Sequence, residues 1–158
     1  MQYKFRGKRV DNGEWVYGDK LQLPQGTYIV PREADSYAHK VGHGLRTGRA
    51  IFELRIDSFF EVHPDSVGMW TGLKDKAGVE IYEGDVVRAK GWSLSPYERE
   101  HKKKDRIVMY STYLSTGFVL ITTKGETVHS GIGLCKANMK RIEIIGNTTD
   151  NPELLEKQ

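Results

Sequence analysis

Short runs rich in valine, isoleucine, tyrosine, phenylalanine and threonine follow one another along almost the whole chain, each cut off by a turn that carries glycine. No other feature constrains the fold as strongly. β-branched and aromatic side chains suit the pleated, half-buried surface of a sheet, and glycine punctuation at this spacing is the usual sign of an antiparallel β protein. The predicted strands are residues 3–6, 14–17, 19–23, 27–30, 50–56, 79–82, 85–90, 106–113, 117–123 and 141–145. Helix is confined to the C-terminus, where Asn151 can cap, Pro152 fits the first helical position and Glu153 meets the positive end of the dipole. Residues 131–139 read either as coil or as a short helical turn. Residues 31–49 and 91–105 are predicted loops, polar and rich in turn formers.

One phrase occurs twice. Residues 13–19 read GEWVYGD and residues 79–85 read VEIYEGD; in both stretches a glycine (Gly7, Gly72) precedes a second (Gly13, Gly78) by six residues and a tyrosine (Tyr17, Tyr82) follows four later. Gly13 and Gly78 suit turns that need positive φ. Trp15 and Tyr17, or Glu80 and Tyr82, then share one face of a strand, and Gly-Asp is expected to break that strand before the next. An alternative makes Asp19 and Asp85 a pair of catalytic carboxylates. Asp after Gly at a strand start is ordinary turn chemistry, so the phrase reads as two similar hairpins.

Together these signals predict a mainly β chain, one compact unit over residues 1–158. N-terminal β-hairpins occupy residues 1–80. Residues 81–147 resemble a small SH3-like, partly closed barrel of about five strands, and a short C-terminal helix and tail cover 148–158. An open curved sheet continuous with the hairpins fits the same periodicity. The chain has 158 residues, 38% of them hydrophobic, enough for a packed interior. The opening MQYKFRGKRV holds no apolar signal region, and no stretch approaches the roughly eighteen apolar residues of a membrane span. The lone Cys135 cannot close an internal disulfide. The expectation is a soluble, cytoplasmic protein with no membrane partner.

FRGKRVDNGEWVYGD (5–19), VHPDSVGMWTGLKDKAGVEIYEGDVV (62–87) and IEIIGNTTDNPELLE (142–156) resemble, in order and separation, three blocks of the YopX family. The family's V-x-P-E-T-V-G-Q-[YF]-T-G-L is similar to residues 62–73, with Asp65, Ser66, Met69 and Trp70 as conservative departures. Residues 20–61 and 88–141 match poorly. The resemblance implies a mainly β fold and a small accessory protein of phages and prophages in a bacterial host cell. It attaches no reaction, so it carries over no catalytic residue.

Chemistry-bearing motifs are few. His39 and His43 would share a helix face, but Gly42 and Gly44 disfavour helix there, so no metal site is expected. Cys135 beside Lys136 reads as a small packed residue, although the lysine could lower a thiol pKa. There is no Gly-x-Ser-x-Gly elbow and no phosphate loop, and GIGLCK lacks the third glycine of a dinucleotide site. No enzyme and no cofactor are therefore expected.

The basic stretch 88–106 is the strongest site signal. Arg88, Lys90, Arg99, Lys102, Lys103, Lys104 and Arg106 stand against Glu98, Glu100 and Asp105, with Trp92 and Tyr97 interleaved. Cations that neutralise phosphates and aromatics that stack on bases are the ingredients of nucleic-acid binding on small β barrels. The plainer reading is a solvated loop that protects a sheet edge. The other class is a protein-binding module, anchored by aromatics such as Trp15, Tyr37, Trp70 and Trp92, with Trp15 and Trp70 expected in the core. The sequence thus predicts a non-enzymatic binding or assembly module whose partners are a phage or host protein or a second copy of the chain. Nucleic acid at 88–106 is the alternative.

Overall fold

A computed structural model describes residues 3–32, 36–43, 50–56, 58–89, 105–111, 117–122, 132–133 and 140–156. The chain is mainly antiparallel β and divides into two units, Met1–Val67 and Gly68–Gln158. In the first, β1 (Phe5–Lys8), β2 (Trp15–Leu23), β3 (Gly26–Val30) and β6 (Phe60–Val62) lie in the order β6–β3–β2–β1, while β4 (Ser36–His43) and β5 (Ala50–Ile56) form a separate hairpin. Just past β1 the chain returns to β6. Arg9 bridges Val62, Val10 N–H donates to Glu61 O at 3.0 Å, and His63 N–H donates to Lys8 O at 2.9 Å. The sheet therefore curls toward itself at this end. Ile29, Thr27, Val62 and Gly7 are buried on its inner side, where a Cβ on Gly7 would meet all three Val62 side-chain carbons at 2.9 Å.

The second unit opens with the hairpin of β7 (Gly68–Lys74) and β8 (Glu80–Tyr82). An antiparallel five-stranded sheet follows in the order β12–β11–β10–β9–β13, made of β9 (Asp85–Ala89), β10 (Asp105–Ser111), β11 (Gly117–Thr122), β12 (Ile132–Gly133) and β13 (Ile142–Asn147). Ile81, Val87, Val108, Leu120 and Ile142 form its core, with Leu73, Phe118 and Ile144 packed against them. The β7–β8 turn holds the outer edge of β13: Lys76 N–H donates to Ile142 O at 2.9 Å, and Asp75 Oδ2 accepts from Ile144 N–H at 3.3 Å. Where the sequence suggests an SH3-like barrel, the strands form an open sheet. Its edges, β12 and β13, do not pair with each other among the described residues.

The doubled phrase resolves into two different structures. At Gly84 it makes the expected break: φ is 83°, and Asp85 Oδ2 accepts from Tyr82 N–H at 2.8 Å to close the turn between β8 and β9. At Gly18 there is no break, because β2 runs unbroken from Trp15 to Leu23. Its first half pairs with β1 (Phe5↔Gly18 to Lys8↔Trp15) and its second half with β3 (Asp19↔Val30 to Leu23↔Gly26). Gly18-Asp19 is the point where the strand changes neighbours. Glycine is required there by contact, since a Cβ would lie 1.9 Å from Val30 O.

Two other expectations change. The predicted loop 31–49 contains β4, which pairs with β5 through a bulge between Lys40 and Gly42, so the glycines mark an irregular strand. His39 and His43 then lie on a strand, where four residues span about 13 Å and the helical spacing argument lapses. The C-terminal helix α1 (Glu153–Glu156) forms, but Asn151 Oδ1 accepts from Asn147 N–H at 3.3 Å and ties the helix to the end of β13.

Candidate functional site

The ends of the basic stretch are placed by β9 and β10, where Asp105 pairs with Arg88. Arg88 donates Nε–H and Nη2–H to the two Asp105 oxygens at 2.7 and 2.8 Å, a fork across the base of the segment. The hydrogen bonds to Asp105 raise the Arg88 pKa above its ordinary value; partial burial opposes them, and the charges of Asp105 and Glu143 add to them. Glu143 faces Arg88 from β13 and accepts from Lys76 Nζ at 2.7 Å, so a row of alternating charge crosses this sheet. Arg106 is 3% exposed and donates Nη1–H to Asp105 O at 3.1 Å. The Arg106 side chain is thus buried, and Arg88 is engaged in its fork with Asp105. Lys90, Trp92, Tyr97, Arg99, Lys102, Lys103 and Lys104 lie outside the described residues.

A second constellation sits on the outer side of β1–β2–β3. Register places Arg6 beside Tyr17, Lys8 beside Trp15, Asp19 beside Val30 and Leu21 beside Tyr28, all on the face opposite Gly7, Thr27 and Ile29. This face is open in part: Tyr17 is 44% exposed and Phe59 50%, Leu23 is exposed, and Trp15, Leu21, Tyr28 and Val30 are half-buried, while Arg6 is buried. Tyr28 and Phe59 meet edge to face with centroids 5.4 Å apart. The aromatics alternate with cations. The Arg6 guanidinium lies 4.7 Å from the centre of the Trp15 ring, and Lys4 Nζ lies 5.8 Å from that of Tyr17.

Where β3 ends, this face dips into an open cleft of about 390 Å³ lined by Lys4, Trp15, Val16, Tyr17, Gly18, Pro31 and Arg32. Arg32 is held at its rim, donating Nη2–H to Tyr3 O and lying 3.3 Å from Asp19 Oδ1. The two aspartates of the alternative, catalytic reading are held apart in role: Asp19 is exposed against Arg32, and Asp85 is 1% exposed and closes its turn, as the preferred turn reading expects. Sequence reasoning placed Trp15 and Tyr17 correctly on one strand face, but Trp15 is only half-buried, under Arg6 and away from the inner side. Lys4, Arg6 and Lys8, spaced by two, were the overlooked signal, because they lay cations beside those aromatics across the strand pair. Trp70 is half-buried on β7 opposite Tyr82. The side chain of Tyr37, and Trp92 and Cys135, lie outside the described residues. Among the described residues no helix is long and apolar enough to cross a membrane.

Fold and surface together define a class: a small, mainly antiparallel β protein with a partly open aromatic-cationic sheet face among the described residues. The model of the YopX protein family matches residues 4–156, and the chain belongs to that family. Among solved structures, the chain is similar to the crystal structure of protein EF1440 from Enterococcus faecalis. The two are 23% identical with a TM-score of 0.58, over 98% of this chain and 99% of that one, a likeness of fold. No curated protein matches.

Proposed function

We propose that this protein is a non-enzymatic binding module, an accessory protein of a phage or prophage, that acts through protein–protein contact at the outer face of β1–β2–β3. One observation carries the reading. Gly7, Thr27, Ile29 and Val62 are buried on the inner side of this sheet, while its outer side leaves Trp15, Tyr17, Leu21, Leu23, Tyr28 and Phe59 wholly or partly open. Tyrosine, tryptophan and arginine are the side chains that anchor protein interfaces. Self-assembly through this face is included in the proposal. Light scattering and cross-linking of the wild type against Tyr17→Glu and Leu23→Glu test it. Association lost in both variants supports the face, whereas a wild-type monomer that no partner contacts through these residues removes it.

A second reading has the Arg88–Asp105 fork in its favour, since it joins the two strands, β9 and β10, between which the basic stretch lies in sequence. On that reading Lys90, Trp92, Tyr97, Arg99 and Lys102–Lys104 bind single-stranded nucleic acid. Anisotropy titrations at several salt concentrations then weaken when Lys102, Lys103 and Lys104 are changed together to Ala. Equal affinity in both proteins, or none at low salt, removes it.

A further inference from the structure

The cleft at the end of β3 is more selective than the open face around it. Its charged lining, Lys4 and Arg32, is positive, and the neighbouring acid, Asp19, already lies 3.3 Å from Arg32. Beside it the Arg6 guanidinium lies over the Trp15 ring and the Lys4 ammonium over the Tyr17 ring. The cleft is lined by consecutive β2 residues from Trp15 to Gly18, a trough of about 10 Å at strand rise. That length takes about three residues of extended chain. The trough opens onto the exposed ring of Tyr17, which offers an apolar contact beside the cations.

We propose that this cleft holds an extended, acidic segment of a partner protein, its carboxylates meeting Arg32 and Lys4 and its apolar side chains lying against Tyr17 and Trp15. The proposal rests on the reading of this face as protein-binding and adds the partner's chemistry. Arginine takes a carboxylate through two parallel N–H bonds, and lysine offers a point charge. Asp19 acts as a local competitor: it occupies Arg32 in the free protein, and an arriving carboxylate displaces it. A merely structural Asp19–Arg32 pair predicts the reverse, since removing Asp19 would then only loosen the rim.

Fluorescein-labelled octapeptides of alternating Glu and Phe, and of alternating Lys and Phe, are the probes, titrated by anisotropy at low and physiological salt. The Glu–Phe peptide is expected to bind, the Lys–Phe peptide not, with affinity falling as salt rises. Lys4→Gln is expected to weaken binding about threefold and Arg32→Gln about tenfold, whereas Asp19→Asn tightens it about threefold. Because Arg32 also holds Tyr3 O, Lys4→Gln and Asp19→Asn keep the test independent of any loosening of the N-terminus. No binding of the acidic peptide, equal binding of both peptides, or indifference to Lys4→Gln and Asp19→Asn overturns the proposal. In any of those cases association that still depends on Tyr17 and Leu23 leaves the broader protein-binding reading standing, which separates the two failures.

Discussion

Replacing Gly18 with alanine should cost the first unit more stability than any other single added methyl on β2. An alanine Cβ there would lie 1.9 Å from Val30 O, 2.6 Å from Val30 C and 3.0 Å from Pro31 Cα. All three are backbone atoms, so no side-chain rotation relieves the clash. To bring the Cβ to an ordinary contact beyond about 3 Å, β2 and β3 must part by more than about 1 Å, which takes a ladder hydrogen bond past its useful length. The bonds at risk are those of Asp19 and Val30, the pair that begins the β2–β3 ladder. One or two lost bonds at about 1 kcal/mol each, with about 1–2 kcal/mol of residual strain, give about 3 kcal/mol. Gly78→Ala is the control. Gly78 has φ of 85° but nothing within 4 Å of a Cβ, so it carries only the left-handed penalty of about 1–2 kcal/mol. Urea unfolding followed by tryptophan fluorescence reads both variants, Trp15 reporting on the first unit and Trp70 on the second. With a slope of about 2 kcal/mol/M, Gly18→Ala should lower the midpoint of its unit by about 1.5 M. A shift in Gly18→Ala no larger than that in Gly78→Ala would refute the close-approach account of Gly18.

Other consequences follow from single contacts. Asp85→Ala leaves the Tyr82 N–H without its carboxylate at a 1% exposed site and should cost about 2–4 kcal/mol in the same urea assay, while Asp85→Asn, which keeps an oxygen, costs less than half as much. Arg88→Gln leaves the Asp105 carboxylate, 13% exposed, without its fork; because Arg88 itself is 35% exposed, the loss should be only about 1 kcal/mol, and Arg88→Lys should recover part of it. Asp11 titrates below 3.8, chiefly because Arg9 donates to its carboxylate. Any stability from this depressed pKa is present above the unfolded value and lost as pH falls through the folded one, so an NMR titration of its carboxyl carbon should give a midpoint below 3.8 that rises in Arg9→Gln.

What the sequence discloses of this fold depends on how local each cause is. Turns are local: Gly13 and Gly78 take φ of 72° and 85°, as their Asn-Gly and Ala-Gly settings require. Strand runs are nearly so, and β3, β5 and β11 fall within a residue of their predicted bounds. The two Gly-Asp steps were opaque because the same dipeptide answers different neighbours. Gly84 needs positive φ to turn, whereas Gly18 needs the absence of a Cβ beneath Val30, a constraint set by a residue twelve positions away. The open sheet of the second unit was equally hidden, since barrel and sheet share one alternation pattern and differ only in whether the edge strands meet. Among the candidate site residues, the count of cations in 88–106 could not distinguish Arg106, buried by its inward register, from Arg88 on the opposite face of the sheet. The same alternation was legible at the other end of the chain. Lys4, Arg6 and Lys8 share a face, as do Trp15 and Tyr17, and antiparallel pairing lays one set beside the other. Arg6 is buried at 8% exposure over the half-buried Trp15, whereas Tyr17 stays 44% exposed, so the pairing of cations with rings covers one part of this face and leaves another open. The open part, around Tyr17, is where the proposed acidic chain of a partner is expected to dock.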